Sequence, residues 1–559
     1  MRNVIIGLLM LGGVQLHAQH SFWVFFTDKN GVSFSAEEYF HPAALERRDK
    51  HGIPRDHISD YPVNSEYVDA VCQIASECGY ASRWFNALFI HADDMQIRAI
   101  ENLPFVEKIE SSKTRLNLAA IEMPEDDSRP ISTPEYLHQI RSMNGQEFAD
   151  NELNGKNIRI AIFDAGFPEV PSHFSVNHIK ENKRIAATFN FARPGKDVYR
   201  SNAHGLMVLS NIAGKNQQRQ LMGLAPEATF LLAITEIRRE IFREEQWWLA
   251  AAEWADKHGA QIINSSLGYT ESRYFPEDMD GQTTLVSRAA NMAARKGILV
   301  VNAAGNEGDE KAWTYIGAPA DADSVLSVGG IDPNLGYKIN FSSIGPNRKG
   351  VPKPNVSAHG QTLVAKKGNS IDVAFGTSFA APLVTGFAAC LMQAFPEETN
   401  MEIMRRIERS GSLYPFFDYA HGYGIPQAHL ALFDSLNENI TPTFVIDTIE
   451  ETLPNIRVLP EVYQHQRTLE ALPKNHFFIS YQDENGDLLD HYLMEIAEPT
   501  FTINFVPINT KVINMHYRGY TLSMPFNPEK SPAETENEED EQNLPEEESG
   551  EESEGNDPE

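Results

Sequence analysis

Five short runs led by apolar residues, at 158–163, 229–234, 261–267, 298–303 and 325–328, punctuate the middle of the chain. A strand with one solvated face alternates apolar and polar residues, so a run that is apolar at nearly every position must be covered on both faces. Between these runs, residues 245–257 and 284–296 repeat apolar side chains at helical spacing. Doubly covered strands alternating with helices specify an α/β domain, a mainly parallel sheet with helices on both faces, over about 154–432. Chemistry in such sheets gathers at the carboxyl ends of the strands.

The flanks read differently. Residues 1–18 combine a basic start, an apolar run over 4–14 and Ala18 before Gln19, the pattern of a signal peptide cleaved after Ala18. Residues 19–118 predict a small α+β domain: a strand at 22–26, helices at 36–50 and 66–78, then strands at 84–91 and 105–109 around a helix at 93–102. A polar linker with Pro124, Pro130 and Pro134 spans 119–153. Residues 441–527 lose the helical period and become β-branched and alternating, predicting a β-sandwich-like accessory domain with a hairpin signal at Asn485-Gly486. The Asp-rich turn there lacks the ligand pattern of an EF-hand.

Net charge is -31, which excludes a nucleic-acid surface built on concentrated Lys and Arg. Residues 529–559 hold fifteen Asp and Glu and one Lys, too few apolar groups to offset the entropy of ordering, and read as an acidic disordered tail. No later stretch of about 18 apolar residues appears, so no transmembrane anchor is expected. Three cysteines are too few for a disulfide framework. Cys72 and Cys78, six apart in a predicted helix, are poorly placed to bridge; Cys390 reads as a small buried residue.

Four motifs in the α/β region carry chemistry. Ile160-Ala161-Ile162-Phe163-Asp164-Ala165-Gly166 is a buried strand ending in an acid, which can hold an imidazole. In Asn202-Ala203-His204-Gly205-Leu206 a His opens an apolar helix, with Gly205 leaving room for a neighbour. Val301-Asn302-Ala303-Ala304-Gly305-Asn306 passes from a strand into a Gly-flanked Asn able to donate to an oxyanion. Gly376-Thr377-Ser378-Phe379-Ala380-Ala381-Pro382 puts a hydroxyl at the start of an apolar helix, where amides and the dipole favour an anionic intermediate. Taken singly, each has a plain structural reading: a cap, a core His, a turn, an N-cap Thr377 or Ser378.

Together, in the order Asp164, His204, Asn306, Ser378, they resemble the subtilisin-like serine proteases. The resemblance covers about 130–432 and extends to Asn264-Ser265-Ser266-Leu267-Gly268, Lys353-Pro354-Asn355-Val356-Ser357-Ala358 and Gly422-Tyr423-Gly424. It implies a serine endopeptidase that works through an acyl-enzyme, with catalytic Asp164, His204 and Ser378, and oxyanion donor Asn306. Ser266, Leu267 and Gly268, with Ala304 and Gly305 opposite, would bind protein or peptide substrate. No metal or organic cofactor is implied as a requirement; relatives often bind structural calcium, for which no ligand cluster is evident here. Ala165, Leu206 and His359 depart from the usual Thr or Ser, Thr, and Pro, which predicts altered packing around the site. These departures also leave an inactive subtilisin-fold binding or scaffolding protein as the alternative. Residues 19–118 resemble the family's propeptide, as in secreted Bacteroidetes-type members, and imply an intramolecular inhibitor and export to the periplasm or beyond.

Overall fold

The computed structural model describes residues 20–111, 136–237, 243–270, 273–433, 441–447, 453–464 and 476–526. The predicted signal peptide, most of the linker and the acidic tail lie outside them. The chain divides into two units, 1–438 and 439–559.

The first unit opens with an antiparallel sheet of four strands, β1 (His20–Phe26), β2 (Glu77–Ser82), β3 (Ala87–Ala92) and β4 (Val106–Ser111), in the order β2-β3-β1-β4. Alternation sorts its side chains. Val24, Phe26, Leu88 and Ile90 meet Val71 and Ile100 of α3 (Ser65–Cys72) and α4 (Asp94–Glu101) on one face. Trp23, Phe25 and Phe89 point the other way. The predicted helix over 36–50 is two, α1 (Ala36–Tyr39) and α2 (Pro42–Lys50), because Pro42 is tolerated only where a helix begins. The predicted helix over 66–78 ends at Cys72, and the chain turns back into β2. That reversal brings Cys72 and Cys78 to a Cα separation of 5.8 Å, and they form a disulfide, which corrects the expectation from sequence.

Residues 136–150, read as linker, instead form α5 (Tyr136–Arg141) and α6 (Gln146–Asp150), whose Ile140, Met143 and Phe148 join the main core. After them come the seven strands of a wholly parallel sheet: β5 (Arg159–Asp164), β6 (Ile185–Asn190), β7 (Thr229–Ile234), β8 (Ile262–Ser265), β9 (Leu299–Ala303), β10 (Val325–Ile331) and β11 (Val356–His359). Their order is β11-β10-β9-β8-β5-β7-β6. The order reverses direction at β5, and Asp164 stands at the carboxyl end of that strand, where such sheets open a crevice.

Short α7 (Asn177–Glu181) precedes β6. The faces are covered as the apolar runs require. Ile160 and Ile162 of β5 meet α8 (His204–Ala213) and α11 (Thr377–Ala394), while Ala161 and Phe163 meet α9 (Arg243–Lys257) and α10 (Leu285–Arg295). Trp23, Phe25, Trp84 and Phe89 of the N-terminal sheet share this second core. A hairpin, β12 (Gln361–Lys366) and β13 (Ser370–Phe375), delivers the chain to α11. Among the described residues α11 alone is long and apolar enough to cross a membrane; Thr377, Ser378, Pro382, Thr385 and Gly386 hide that in a search for unbroken apolar sequence. Most of it is buried in the core.

The second unit has two antiparallel sheets around one core. β14 (Phe444–Ile446), β15 (Asn455–Val458) and β18 (Thr500–Thr502) form one; β16 (His476–Gln482), β17 (Leu488–Glu495), β19 (Val512–Tyr517) and β20 (Tyr520–Pro525) form the other. Phe444, Ile456 and Val458 of the first interleave with Phe477, Ile479 and Tyr517 of the second. Asn485-Gly486 sits in a five-residue connection organised by Asp483, whose carboxylate accepts from the Asn485 and Asp487 amides. The two-residue turn falls at Arg518-Gly519 instead, with φ of 48° and 84°.

Candidate active site

Asp164 ends the central strand fully buried, and its carboxylate accepts from His204 Nδ1 at 2.9 Å (Oδ2) and 3.1 Å (Oδ1). The remaining local demand on that carboxylate is the Ala165 amide, 2.7 Å from Oδ1. His204 begins α8 after the N-cap Ala203, and the Asn202 side chain one residue earlier accepts the His204 backbone N–H at 2.9 Å. Gly205 lets this helix end press on the loop after β5: a Cβ there would stand 2.5 Å from the Gly166 carbonyl oxygen. That close approach sets the distance between acid and imidazole. Burial, the largest influence on His204, pushes its pKa down, but the charge and hydrogen bond of Asp164, with the charge of Glu236, carry it above the usual histidine value.

Ser378 lies in the first turn of α11, half-buried, and the ring of the next residue, Phe379, packs 5.4 Å from the His204 ring between centroids. Its hydroxyl donates to the Ser266 carbonyl at 3.2 Å and not to His204. Ser266 answers by donating its own hydroxyl to the Ser378 carbonyl at 2.9 Å, which ties α11 to the chain leaving β8. The helix is capped neither by Thr377 nor by Ser378; the N-cap is Gly376 at φ 142°, a conformation that side chains strongly disfavour.

Capping falls to Asn306. Its Oδ1 accepts from the Thr377 amide at 2.8 Å and the Thr377 hydroxyl at 3.0 Å. With the carbonyl side of the amide occupied, Nδ2 is left as the donor on an exposed residue. Thr377 Oγ1 also bonds Gly305, 3.1 Å from its carbonyl oxygen and 3.3 Å from its amide. Gly305 has φ 122°, and a Cβ there would meet Glu307 Oε2 and Ser343 Oγ at 2.6 Å. Sequence reasoning missed Asn202 and Thr377 as positioning residues; a Thr directly before Ser378, four strands away in the chain from its Asn partner, gives no local sign of that contact.

Of the expected substrate-binding residues, Ser266, Leu267 and Gly268 leave the end of β8 in line, with open space around Gly268. Ala304 and Gly305 follow the end of the next strand, β9, but spend backbone groups internally: Ala304 N–H donates to Val328 O at 2.9 Å, and Gly305 O accepts from Ser343 N–H at 3.1 Å. A cavity of about 450 Å³ opens beside the acid and imidazole, lined by Ala165, Arg193, Ser201, Asn202, Ile234 and Glu236 among others. Leu206, one of the departures noted above, is buried in the main core.

The Lys353 and Gly422 motifs prove structural. Lys353 is buried and donates to Val325 O and Asn355 Oδ1, and a Cβ on Gly422 would meet Pro354 O at 2.4 Å. Cys390 is buried with its thiol donating to Leu224 O, and burial pushes its pKa up. Among the described residues no group of three or more His, Cys, Asp or Glu side chains is placed to hold a metal ion.

Residues 155–424 match the subtilase family. A thermostable alkaline protease from Halalkalibacterium halodurans is 30% identical over 273 residues, 49% of this chain and 67% of that protein. The chain belongs to the subtilase family. Subtilisin NAT from Bacillus subtilis subsp. natto is 27% identical over 345 residues of this subtilase, 61% of the chain and 80% of its own length. Residues 21–129 match the Peptidase S8 propeptide domain of Bacteroidota. Among solved structures, that of MycP1 with the N-terminal propeptide removed is 24% identical, with a TM-score of 0.43, covering 54% of this chain and 98% of that one. This subtilase is thus a serine protease by family, with a propeptide domain ahead of its catalytic domain.

Proposed function

We propose that this subtilase hydrolyses peptide bonds through Asp164, His204 and Ser378, with Asn306 Nδ2 and the Ser378 amide as oxyanion donors. The observation that carries this reading is the Asp164–His204 pair at the end of the central strand, with the Ser378 turn of α11 against the His204 ring. Rotation about the Ser378 Cα–Cβ bond exchanges the Ser266 carbonyl for the imidazole. His204 then takes the hydroxyl proton as Oγ attacks the substrate carbonyl, and Asp164 stabilises the imidazolium. The proton passes to the leaving amine, and water repeats the sequence on the acyl-enzyme. Substrate backbone would lie along Ser266, Leu267 and Gly268, opposite Ala304 and Gly305.

The N-terminal domain fits the role of intramolecular inhibitor, and the basic-apolar start of the chain fits export to the periplasm or beyond. A serine-reactive phosphonate tests the assignment. Labelling and peptide hydrolysis that both vanish in Ser378→Ala support it; a Ser378→Ala protein that still cleaves peptide refutes it.

A further inference from the structure

Asn306 is held from two sides, and α11 supplies only one of them. Thr377 takes its side-chain carbonyl. Its backbone N–H is taken by the next residue: Glu307 folds back and accepts it on Oε2 at 2.8 Å. Gly305 makes room for that return, since a Cβ there would stand 2.6 Å from Glu307 Oε2. Ser343 closes the arrangement. Its hydroxyl donates to the same Oε2 at 3.0 Å and accepts the Glu307 N–H at 3.1 Å, while its own N–H donates to Gly305 O at 3.1 Å. Gly308 N–H donates to Phe341 O at 2.7 Å, and a Cβ on Gly308 would stand 2.0 Å from Ser342 O. Gly305, Glu307 and Gly308 are thus bonded directly to residues 341–343, and Asn306 is tied to them through the Glu307 carboxylate.

The turn that carries Ser343 is itself a fixed post. Lys338 sends its ammonium into the carbonyls of Asn340 (2.8 Å), Ser342 (3.2 Å) and Ile339 (3.3 Å), and its backbone N–H donates to His421 Nε2 at 2.9 Å. A ring whose Nε2 accepts carries its proton on Nδ1, and His421 Nδ1 donates to both oxygens of buried Asp418 at 2.9 Å. Ser342 Oγ accepts from Gly330 N–H at 2.9 Å, which joins the turn to β10. Ser342 and Ser343 are fully buried, so the brace behind Glu307 belongs to the packed interior while Asn306 stands exposed in front of it.

Charge makes this placement informative. A carboxylate beside a donor meant for an oxyanion opposes the negative charge that develops there, so on electrostatics alone a neutral residue would serve better. Glu307 contributes geometry instead. Holding the Asn306 N–H orients the planar Gly305–Asn306 peptide, and Thr377 holds the carbonyl end of the side chain. Nδ2 is left over the turn that carries Ser378, 3.7 Å from where a Cβ on Gly376 would lie. We propose that Glu307, braced by Ser343, is a positioning residue for the oxyanion donor: its carboxylate oxygen acts on the reaction through Asn306, as a hydrogen-bond acceptor and not as a charge. The proposal deepens the reading of Asn306 as an oxyanion donor and rests on it.

A double-mutant cycle tests it, with steady-state hydrolysis of one chromogenic peptide by the active protein, rates normalised to sites labelled to completion by a phosphonate, and folding checked by denaturant unfolding. Glu307→Ala is expected to lower kcat on the order of 10- to 100-fold, the scale of an ångström of misplacement, with KM within about twofold. Glu307→Gln keeps an acceptor oxygen and drops the charge, and is expected to recover most of that loss. In the Asn306→Ala background, Glu307→Ala is expected to change kcat by less than about twofold, because the group it positions is gone. Ser343→Ala removes the brace and is expected to shift kcat in the same direction and to lose its effect in the same background, so the cycle can be read even if Glu307→Ala does not fold. An equal loss in both backgrounds, or unchanged kcat in a folded Glu307→Ala enzyme, overturns the proposal and leaves the protease assignment intact. A Glu307→Gln enzyme as slow as Glu307→Ala overturns the acceptor role. A folded Asn306→Ala enzyme close to parental kcat removes the donor and this proposal with it, whereas hydrolysis that survives Ser378→Ala refutes the protease assignment itself.

Discussion

Replacing Asn306 with alanine separates a catalytic role from a structural one, because the two ends of its amide do different things. Oδ1 is the acceptor for the first N–H of α11 and for the Thr377 hydroxyl. Losing that cap costs about 1 kcal/mol of stability, the usual worth of an N-terminal helix cap. In the proposed mechanism Nδ2 donates to the developing oxyanion, and removing one such donor costs about 2.7–4 kcal/mol of transition-state stabilisation, or roughly 100- to 1000-fold in kcat. Asn306→Ala should therefore fold, lose about 1 kcal/mol in denaturant unfolding, and drop in kcat by two to three orders of magnitude with KM little changed. The assay is steady-state hydrolysis of a chromogenic peptide, with phosphonate labelling to count competent active sites. A folded Asn306→Ala enzyme within about fivefold of wild-type kcat would remove it from the mechanism, since that spans only about 1 kcal/mol.

Two further outcomes follow from the same structure. His204 must be neutral to act as base, and Asp164 holds its pKa above 6.5; kcat/KM should fall below a midpoint on the alkaline side of 6.5, and Asp164→Asn should move that midpoint down while cutting kcat by about 10⁴, both visible in a pH–rate profile. Deleting residues 529–559 should leave the melting temperature within about 2 °C and peptide hydrolysis unchanged, since their composition supports no core; a larger drop by calorimetry would show the tail docked.

The sheet was legible because burial on both faces leaves apolar residues at consecutive positions of β5, β7, β8 and β9. The four site motifs were legible because each is local, ending a strand or opening a helix. What escaped is what depends on contacts far apart in the chain. Thr377 carries no sign that its amide will meet Asn306, Cys72 and Cys78 pair only because the helix stops early, and Arg47 and Arg48 look like surface charges until Asp256 arrives more than two hundred residues later. Residues 136–150 escaped for a subtler reason: one Ile, one Met and one Phe in a polar stretch make a weak periodic signal, yet all three are buried.

Those two short helices also set a limit on maturation. Gln139 bonds Leu363 and Met222, the Met143 carbonyl accepts from Ala428 N–H, and a Cβ on Gly145 would stand 2.6 Å from Leu224, so the segment stitches the β12 edge to the end of the catalytic domain. Removing its buried Ile, Met and Phe would cost about 2–5 kcal/mol apiece, a large share of a typical domain's margin of about 5–15 kcal/mol. Trimming by the enzyme itself or by other peptidases that passes Tyr136 therefore removes folded structure. A mature chain should keep these residues, so a preparation of the catalytic domain should begin no later than residue 136, rather than at the start of the family match at 155.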